Sequence, residues 1–377
     1  MEHEPRPDLY HRLGVRPLIN AHGTLTRLGG SRMAPEVTAA MIEAAGHFVD
    51  LDELLAKSGA YVAALLGVEA AYITAGAAAG LVLATAACVA GADPARIRQL
   101  PDTRDLRHRV AVHRCHRNGY DQAVRQAGVE LVEFGWIKET FPWQLEAALD
   151  EQTAAVAYFV EFAGPGSLPL EAVIEIAHRR GLPVIVDAAA EVPPVENLRR
   201  FARQGADLVV YSGGKALGGP QSSGLILGRR DLIAACALNA NPNYSIGRPM
   251  KAGKEEIVGL VVALERYLAL DHEAEEARWE TMVAYWVETL GAVQGLRARR
   301  VCPVPPGIQP NTIPRAYVEW DEARLGLTVP EAVRRLREGE PAIAVGSTEG
   351  ALVLNPQVLA PGEERVVAEG IERVFKR

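Results

Sequence analysis

Residues 183–221 read PVIVDAAAEVPPVENLRRFARQGADLVVYSGGKALGGPQ. Two apolar runs, Val184-Ile185-Val186 and Leu208-Val209-Val210, flank a helical stretch at 197–204 that closes on Gly205, where a helix C′ residue belongs. Strand, helix, strand is the repeating unit of a parallel sheet, and an apolar run without alternation suits a strand covered on both faces. The first run ends in a single carboxylate, Asp187. The second ends, 28 residues later, in a glycine-dense turn around a single lysine, Lys215.

The same rhythm extends outward. Strands are predicted at 71–74, 109–113, 129–134, 153–160, 183–187, 206–211 and 224–227, with helices at 77–89, 120–127, 143–149, 170–180 and 197–204. Gly128 and Gly181 close helices as Gly205 does. Alternation of this kind predicts an α/β fold built on a mostly parallel sheet flanked by helices. Residues 255–289 read as one long helix leaving the large domain. Strands at 296–301, 315–319, 343–345 and 352–354, with helices at 330–337 and 363–375, then form a small α+β C-terminal domain. Five prolines in 303–314 mark a loop at its edge. The expected division is an N-terminal segment at 1–48 contributing to the small domain and to dimer contacts, a large domain at 49–254, and a connecting helix with the small domain at 255–377.

Composition narrows the function classes. The chain has 377 residues, 49% hydrophobic and 23% charged, with net charge −7. An acidic chain has no global attraction for phosphate backbones, so nucleic acid is not an expected partner. Five arginines fall within 96–109, but Asp102 and Asp105 interrupt them and Pro101 marks a loop, so they read as a solvated surface. Cys88, Cys115, Cys236 and Cys302 form no C-x-x-C pair and lack zinc-site spacing. They read as free thiols of a reducing compartment, and no metal site is expected. The first ten residues are polar, without the apolar core of a signal peptide. The run at 80–91 is too short and too alanine-rich to span a bilayer. A cytoplasmic protein without membrane contact is expected.

Three elements carry chemistry, and each has a plain reading beside a functional one. Ser212-Gly213-Gly214-Lys215 with Leu217-Gly218-Gly219-Pro220-Gln221 is either a turn exposing a lysine or a rigid loop holding a desolvated amine able to condense with an aldehyde. Asp187 either caps the following loop or, at the carboxyl end of a buried strand, faces a cation such as a protonated pyridine nitrogen. Thr74-Ala75-Gly76-Ala77-Ala78-Ala79-Gly80 is either an ordinary small-residue helix start or an anion cradle, in which free N–H groups and the helix dipole receive a phosphate.

Taken in chain order, phosphate cradle, strand-end Asp and glycine-flanked Lys, the sequence resembles fold-type I pyridoxal-5′-phosphate (PLP) enzymes. Within them it is most similar to the selenocysteine synthase-like branch, which includes D-glucosaminate-6-phosphate ammonia-lyase-type proteins. Ile19-Asn20-Ala21-His22-Gly23-Thr24, residues 74–80 and above all the Lys215 loop carry the likeness, over about residues 15–270. The resemblance implies a seven-stranded sheet. It implies that Lys215 holds PLP as a Schiff base and shuttles protons at the substrate α-carbon, while Asp187 pairs with the pyridine nitrogen. Gly76, Ala77 and Ala78 would give N–H groups to the cofactor phosphate, Ser212 would add a hydroxyl, and His116 would stack on the ring. Gln221 would shape the lysine loop. The segment 22–32 would lie near the active site of a partner subunit in a homodimer or higher homo-oligomer.

The expected reaction is α-proton abstraction and β-elimination with release of ammonia, on a small polar amino acid or amino sugar acid. A cationic ring absorbs the charge that develops at the α-carbon, and the protein orients the groups around it. Aminotransferase, racemase or aldolase chemistry on the same scaffold is the alternative; a non-catalytic PLP-binding regulatory protein is the alternative of another class. No arginine lies around Ala344-Val345-Gly346-Ser347 to hold a substrate carboxylate, and no Asn lies near Glu161-Phe162 to meet the cofactor's phenolic oxygen. Candidate substrate anion sites are Arg248 and Lys251, with Lys254 nearby, and Arg27 or Arg32 beside Thr24. The Ile19 segment starts too early to leave room for a tRNA-binding domain, so a tRNA-dependent activity is not expected.

Overall fold

The computed structural model describes residues 9–304 and 309–376. The first eight residues of the polar N-terminus and residues 305–308 of the proline-rich loop lie outside the described residues. The strands are β1 (Leu18–Ala21), β2 (Ala70–Thr74), β3 (Arg109–His113), β4 (Glu130–Phe134), β5 (Thr153–Phe159), β6 (Val184–Asp187), β7 (Leu208–Ser212), β8 (Gly224–Gly228), β9 (Leu296–Val301), β10 (Arg315–Trp320), β11 (Ala342–Thr348) and β12 (Ala351–Leu354). The chain divides into two compact units. Of the described residues, one comprises 9–29, 271–303 and 313–376; the other comprises 30–270, 304 and 309–312.

The larger unit is built on a seven-stranded sheet in the order β2-β8-β7-β6-β5-β3-β4. Strand β8 runs antiparallel to both neighbours, and the other pairings are parallel. All seven residues of β5 are buried. Because successive side chains point to opposite faces, both faces of the sheet must be covered there. The helix Ala77–Ala90 packs along β5, β6, β7 and β8, and Leu170–Arg179 packs along β5 and β6. The first of these is buried along most of its length, which accounts for its lack of a polar stripe. Gly128, Gly181 and Gly205 adopt positive φ (88°, 66° and 105°) at the ends of their helices.

Four helices of this unit are not predicted by periodicity: Pro35–Ala45, Leu51–Leu66, Pro94–Gln99 and Arg230–Asn239. The second is capped by Asp50, whose carboxylate accepts the Glu53 N–H at 3.0 Å. The first lies along the helix Lys254–Leu268, and Lys254 Nζ donates to the Ala44 carbonyl at 2.8 Å. Those contacts group residues 30–48 and 255–270 with the large sheet.

The smaller unit has a five-stranded sheet in the order β1-β11-β12-β10-β9. Only β1 and β11 pair in parallel, Leu18 opposite Ala342, so the N-terminal segment contributes an edge strand. The helices His272–Gly291, Val329–Glu338 and Glu363–Phe375 share one core with the sheet, centred on Trp286, Val318, Leu352 and Ile371. Trp286 is fully buried, and its indole N–H donates to the Glu364 carbonyl at 2.8 Å. The single long helix expected at 255–289 is in fact two, Lys254–Leu268 and His272–Gly291. Asp271 starts the second as its N-cap, accepting the Ala274 N–H at 2.9 Å. The apolar pattern runs through the break, and the cap carboxylate is what interrupts the backbone.

Candidate active site

Because β2, β3, β5, β6 and β7 run in one direction, their carboxyl ends share one edge of the large sheet, where open α/β sheets bind ligands. Register aligns them. Thr74 and Ser212 both pair with Gly224, the first residue of β8, while Phe159 and Val210 both pair with Asp187. The sequence elements read separately therefore meet at one level of the sheet.

At one end of this row, the helix Ala77–Ala90 begins two residues beyond β2 with Gly76 as its N-cap and no side-chain cap. The Gly80 N–H returns to the Gly76 carbonyl at 3.0 Å. The N–H groups of Ala77, Ala78 and Ala79 precede that bond and have no intrahelical acceptor. Gly224 lies directly beneath. A Cβ there would stand 2.5 Å from the Gly76 carbonyl carbon, 2.7 Å from Thr74 Oγ1 and 2.8 Å from the Ala77 nitrogen. Only glycine lets β8 pass this close to the helix start. Ser212 is half-buried on the neighbouring strand.

The lysine loop is tied to its surroundings through backbone. The Gly213 N–H donates to the Ser223 carbonyl and the Gly219 N–H to the Gly213 carbonyl, each at 2.9 Å. Ser31 donates both its N–H (3.0 Å) and its hydroxyl (3.1 Å) to the Gly214 carbonyl. Gly30 and Ser31, at the end of the segment 22–32, touch the lysine loop of their own chain. Gln221 packs its backbone against Gly214, where an added Cβ would lie 2.5 Å from the Gln221 Cα. Lys215 is half-buried, and its charge acts on Asp187, Glu161 and Glu191 together.

Asp187 sits in a recess at the end of β6. Its Oδ1 accepts the Ala189 N–H at 3.0 Å. Burial pushes its carboxyl above the usual aspartate range, opposed by that N–H and by Lys215. A carboxylate desolvated in this way gains from a cation placed against it. Glu161, in the turn after β5, is raised by burial and by Asp187, with Lys215 acting against the shift. Glu191, four residues beyond Asp187, is buried and pushed up to about 8, chiefly by desolvation and then by Glu161 and Asp187.

His116 follows β3 in the turn Arg114–His116 and has no exposed surface. Its Nε2 lies 3.1 Å from Ser167 Oγ, and its ring meets Tyr158 edge-on with centroids 4.7 Å apart. Burial, together with neighbouring His113, lowers its imidazole to about 3, so the ring is neutral. Tyr120, four residues on and 53% exposed, is the ring whose hydroxyl feels both Glu161 and Asp187.

Of the substrate candidates, Arg248 donates to Asn241 Oδ1 at 3.1 Å and Lys251 is exposed. Neither is among the charges acting on Asp187, Glu161 or Glu191. Lys254 is engaged by Ala44 and Glu255. Thr24 and Arg27 belong to the smaller unit, half-buried and exposed respectively. Glu191, Glu161 and Tyr120 went unread as site residues. The only signal for Glu191 was a carboxylate in the otherwise apolar run after Asp187, and the spacing of Tyr120 from His116 carried none. Among the described residues no group of His, Cys, Asp and Glu could hold a metal ion, and no helix is long and apolar enough to cross a membrane.

Residues 120–301, which include Asp187 and Lys215, match the family described as SelA, L-seryl-tRNA selenium transferase. Over 377 aligned residues the chain is 36% identical to D-glucosaminate-6-phosphate ammonia lyase of Salmonella typhimurium, covering 98% of each protein. This chain belongs to the selenocysteine synthase-like family. A solved structure of D-glucosaminate-6-phosphate ammonia-lyase superposes with a TM-score of 0.85 at 36% identity, over 99% of both chains. A second family relative, 5′-C-glycyluridine monooxygenase-decarboxylase of a Streptomyces species, is also 36% identical, over 95% of this chain and 90% of its own. These relatives are enzymes. More distant solved chains, such as an SPT described with PLP at 15% identity and a TM-score of 0.58, share the fold-type I architecture alone.

Proposed function

We propose that this chain is a PLP-dependent ammonia lyase acting on an amino sugar acid. The observation that carries the reading is the convergence of Lys215, Asp187 and the Gly76–Ala78 helix start on one sheet edge. Whole-length identity to an ammonia lyase supports it. The residues fit the cofactor. The glycine-lined helix start suits its phosphate, with the Ser212 hydroxyl alongside. The recessed carboxylate of Asp187 suits its ring nitrogen, and Lys215 offers an amine on a loop held by backbone bonds. When bound, PLP supplies an electron-withdrawing ring that stabilises negative charge at the substrate α-carbon.

The chain's own groups do the remaining work. Asp187 would keep the ring nitrogen charged, and the Lys215 amine would accept the substrate's α-proton on Nζ. The rigid backbone around Gly214 fixes where that nitrogen stands. Neutral, buried His116 gives shape beside the site, and Tyr120 offers an exposed ring whose hydroxyl lies in the field of Glu161 and Asp187. Arg248, Lys251, Arg27 and Thr24 are the candidates for substrate anions. Four free thiols suit a reducing cytoplasm, and the acidic chain suits a small-molecule rather than a nucleic-acid substrate. Fully exposed Phe48, with exposed Ile42 and Val49, marks an apolar surface suited to a second copy of the chain, so a homodimer is expected.

The equally similar monooxygenase-decarboxylase motivates a second reading. The deciding experiment supplies D- and L-amino acids and amino sugar acids to the PLP-loaded protein and follows ammonia, keto acid, oxygen and carbon dioxide. Ammonia and keto acid formed without oxygen uptake and without an amino acceptor support the lyase. Oxygen consumption with carbon dioxide release sinks it in favour of the second reading.

A further inference from the structure

Glu191 is a buried acid, 7% exposed, whose Oε1 has no hydrogen-bonding partner among the described residues. A carboxyl left unsatisfied in a protein interior is costly, and a buried acid raised by desolvation beside specific charges is a candidate for chemistry. Its backbone, by contrast, is well anchored. The Glu191 N–H donates to the Ala188 carbonyl at 3.2 Å, and its carbonyl accepts from Asn197 Nδ2 at 2.6 Å. Asn197 in turn accepts the Tyr211 hydroxyl on its own carbonyl at 2.6 Å. The side chain is therefore aimed by a fixed loop between Asp187 and the helix Asn197–Arg203. The charges facing it are Glu161 from the turn after β5, Asp187 from the end of β6, Lys215 from the loop after β7 and Arg200 from that helix, with Tyr211 of β7 also within its field.

We propose that Glu191 is the acid of this site, donating its carboxyl proton to the hydroxyl that leaves the substrate's β-carbon, opposite Lys215 as base. The inference rests on the ammonia-lyase reading and deepens it. An amino sugar acid carries a hydroxyl on its β-carbon, and hydroxide is a poor leaving group unless it is protonated as it departs. Lys215 Nζ takes the α-proton. The bond from the β-carbon to oxygen breaks with its electron pair going to oxygen, and the Glu191 proton joins that oxygen, so that water leaves. Glu191 remains as a carboxylate within the field of the Lys215 ammonium, which returns the proton. The pair left at the α-carbon closes the Cα–Cβ double bond, both side chains are restored, and one water leaves; the enamine so formed takes up one water on release, freeing ammonia and the keto acid. Burial first, and then Glu161 and Asp187, disfavour a negative charge here, which keeps Glu191 protonated at neutral pH.

The test compares wild type with E191Q, each loaded with PLP, on the amino sugar acid found to release ammonia and on β-chloroalanine, whose chloride leaves without a proton. E191Q is expected to lose ammonia release from the hydroxyl substrate by about 10²- to 10⁴-fold. It should retain α-hydrogen exchange with deuterated water and chloride elimination within a few-fold of wild type. In the cofactor-free protein, infrared spectra should show a protonated carboxyl that titrates near pH 8 in wild type and is missing in E191Q. Equal loss of chloride and hydroxyl elimination in E191Q would reduce Glu191 to a structural part and overturn the proposal. So would unchanged hydroxyl elimination, or a wild-type spectrum with no such carboxyl, a measurement that needs no variant to fold. Wild type releasing no ammonia from any substrate would instead remove the lyase reading, and this proposal with it.

Discussion

The phosphate cradle is most sharply tested by Gly224→Ala. One added methyl group would stand within 2.8 Å of three atoms of the Thr74–Ala77 turn. Strand β8 cannot retreat, because it is hydrogen-bonded on both sides, to β2 and to β7. The strain must be relieved at the helix start, which carries the N–H groups proposed to hold the cofactor phosphate. Overpacking of this size costs about 1–3 kcal/mol. If that cost falls on the bound state, the PLP dissociation constant rises by roughly 5- to 150-fold. The assay is a spectrophotometric titration of cofactor-free protein with PLP, run beside urea unfolding of the same preparations to separate lost affinity from lost stability. A Gly224→Ala protein that takes up PLP with the wild-type constant would refute the placement of the phosphate at Gly76–Ala78, whatever its stability.

Other outcomes follow from the same geometry. Lys215→Ala should lose the visible absorbance of protein-bound cofactor and about 10²- to 10⁴-fold in ammonia release; a persisting band would show that another amine carries the cofactor. Asp187→Asn keeps the shape and removes the charge; breaking a buried charge pair costs about 3–5 kcal/mol, so ammonia release should fall on the order of 10²-fold or more, and an unchanged rate would detach Asp187 from the ring nitrogen. The cofactor-free protein should become less stable as pH rises. The folded Glu191 carboxyl is raised from 4.5 to about 8, so its contribution is complete below 4.5 and is lost as pH climbs through 8. Its size is on the order of a few kcal/mol. The melting temperature of wild type should accordingly fall relative to that of E191Q between pH 5 and 8, and a constant gap between the two would show that Glu191 is ionised throughout.

Much of this molecule was legible in its residues because the relevant physics is local. Uninterrupted apolar runs read as sheet covered on both faces, and β5 and β6 are buried accordingly. Glycines at 128, 181 and 205 stop helices because the positive-φ backbone there strains any residue with a Cβ and costs glycine little. Lys215 and Asp187 stood out because a lone charge after an apolar strand must have a reason to be there. The break at 269–271 was not legible, since the apolar repeat continues through it and a single aspartate cap decides the matter.

What sequence order determined by itself was therefore the strand–helix alternation and the two residues that anchor the proposed chemistry. Only the tertiary structure decided which charges face one another. Glu161, Glu191 and Lys215 are separated along the chain and converge because parallel strands end on a common edge. The depth of His116 and the exposure of Tyr120 follow from packing across three elements. Electrostatic fields and burial depend on distances through space, and linear spacing does not contain those distances until the sheet has set its register.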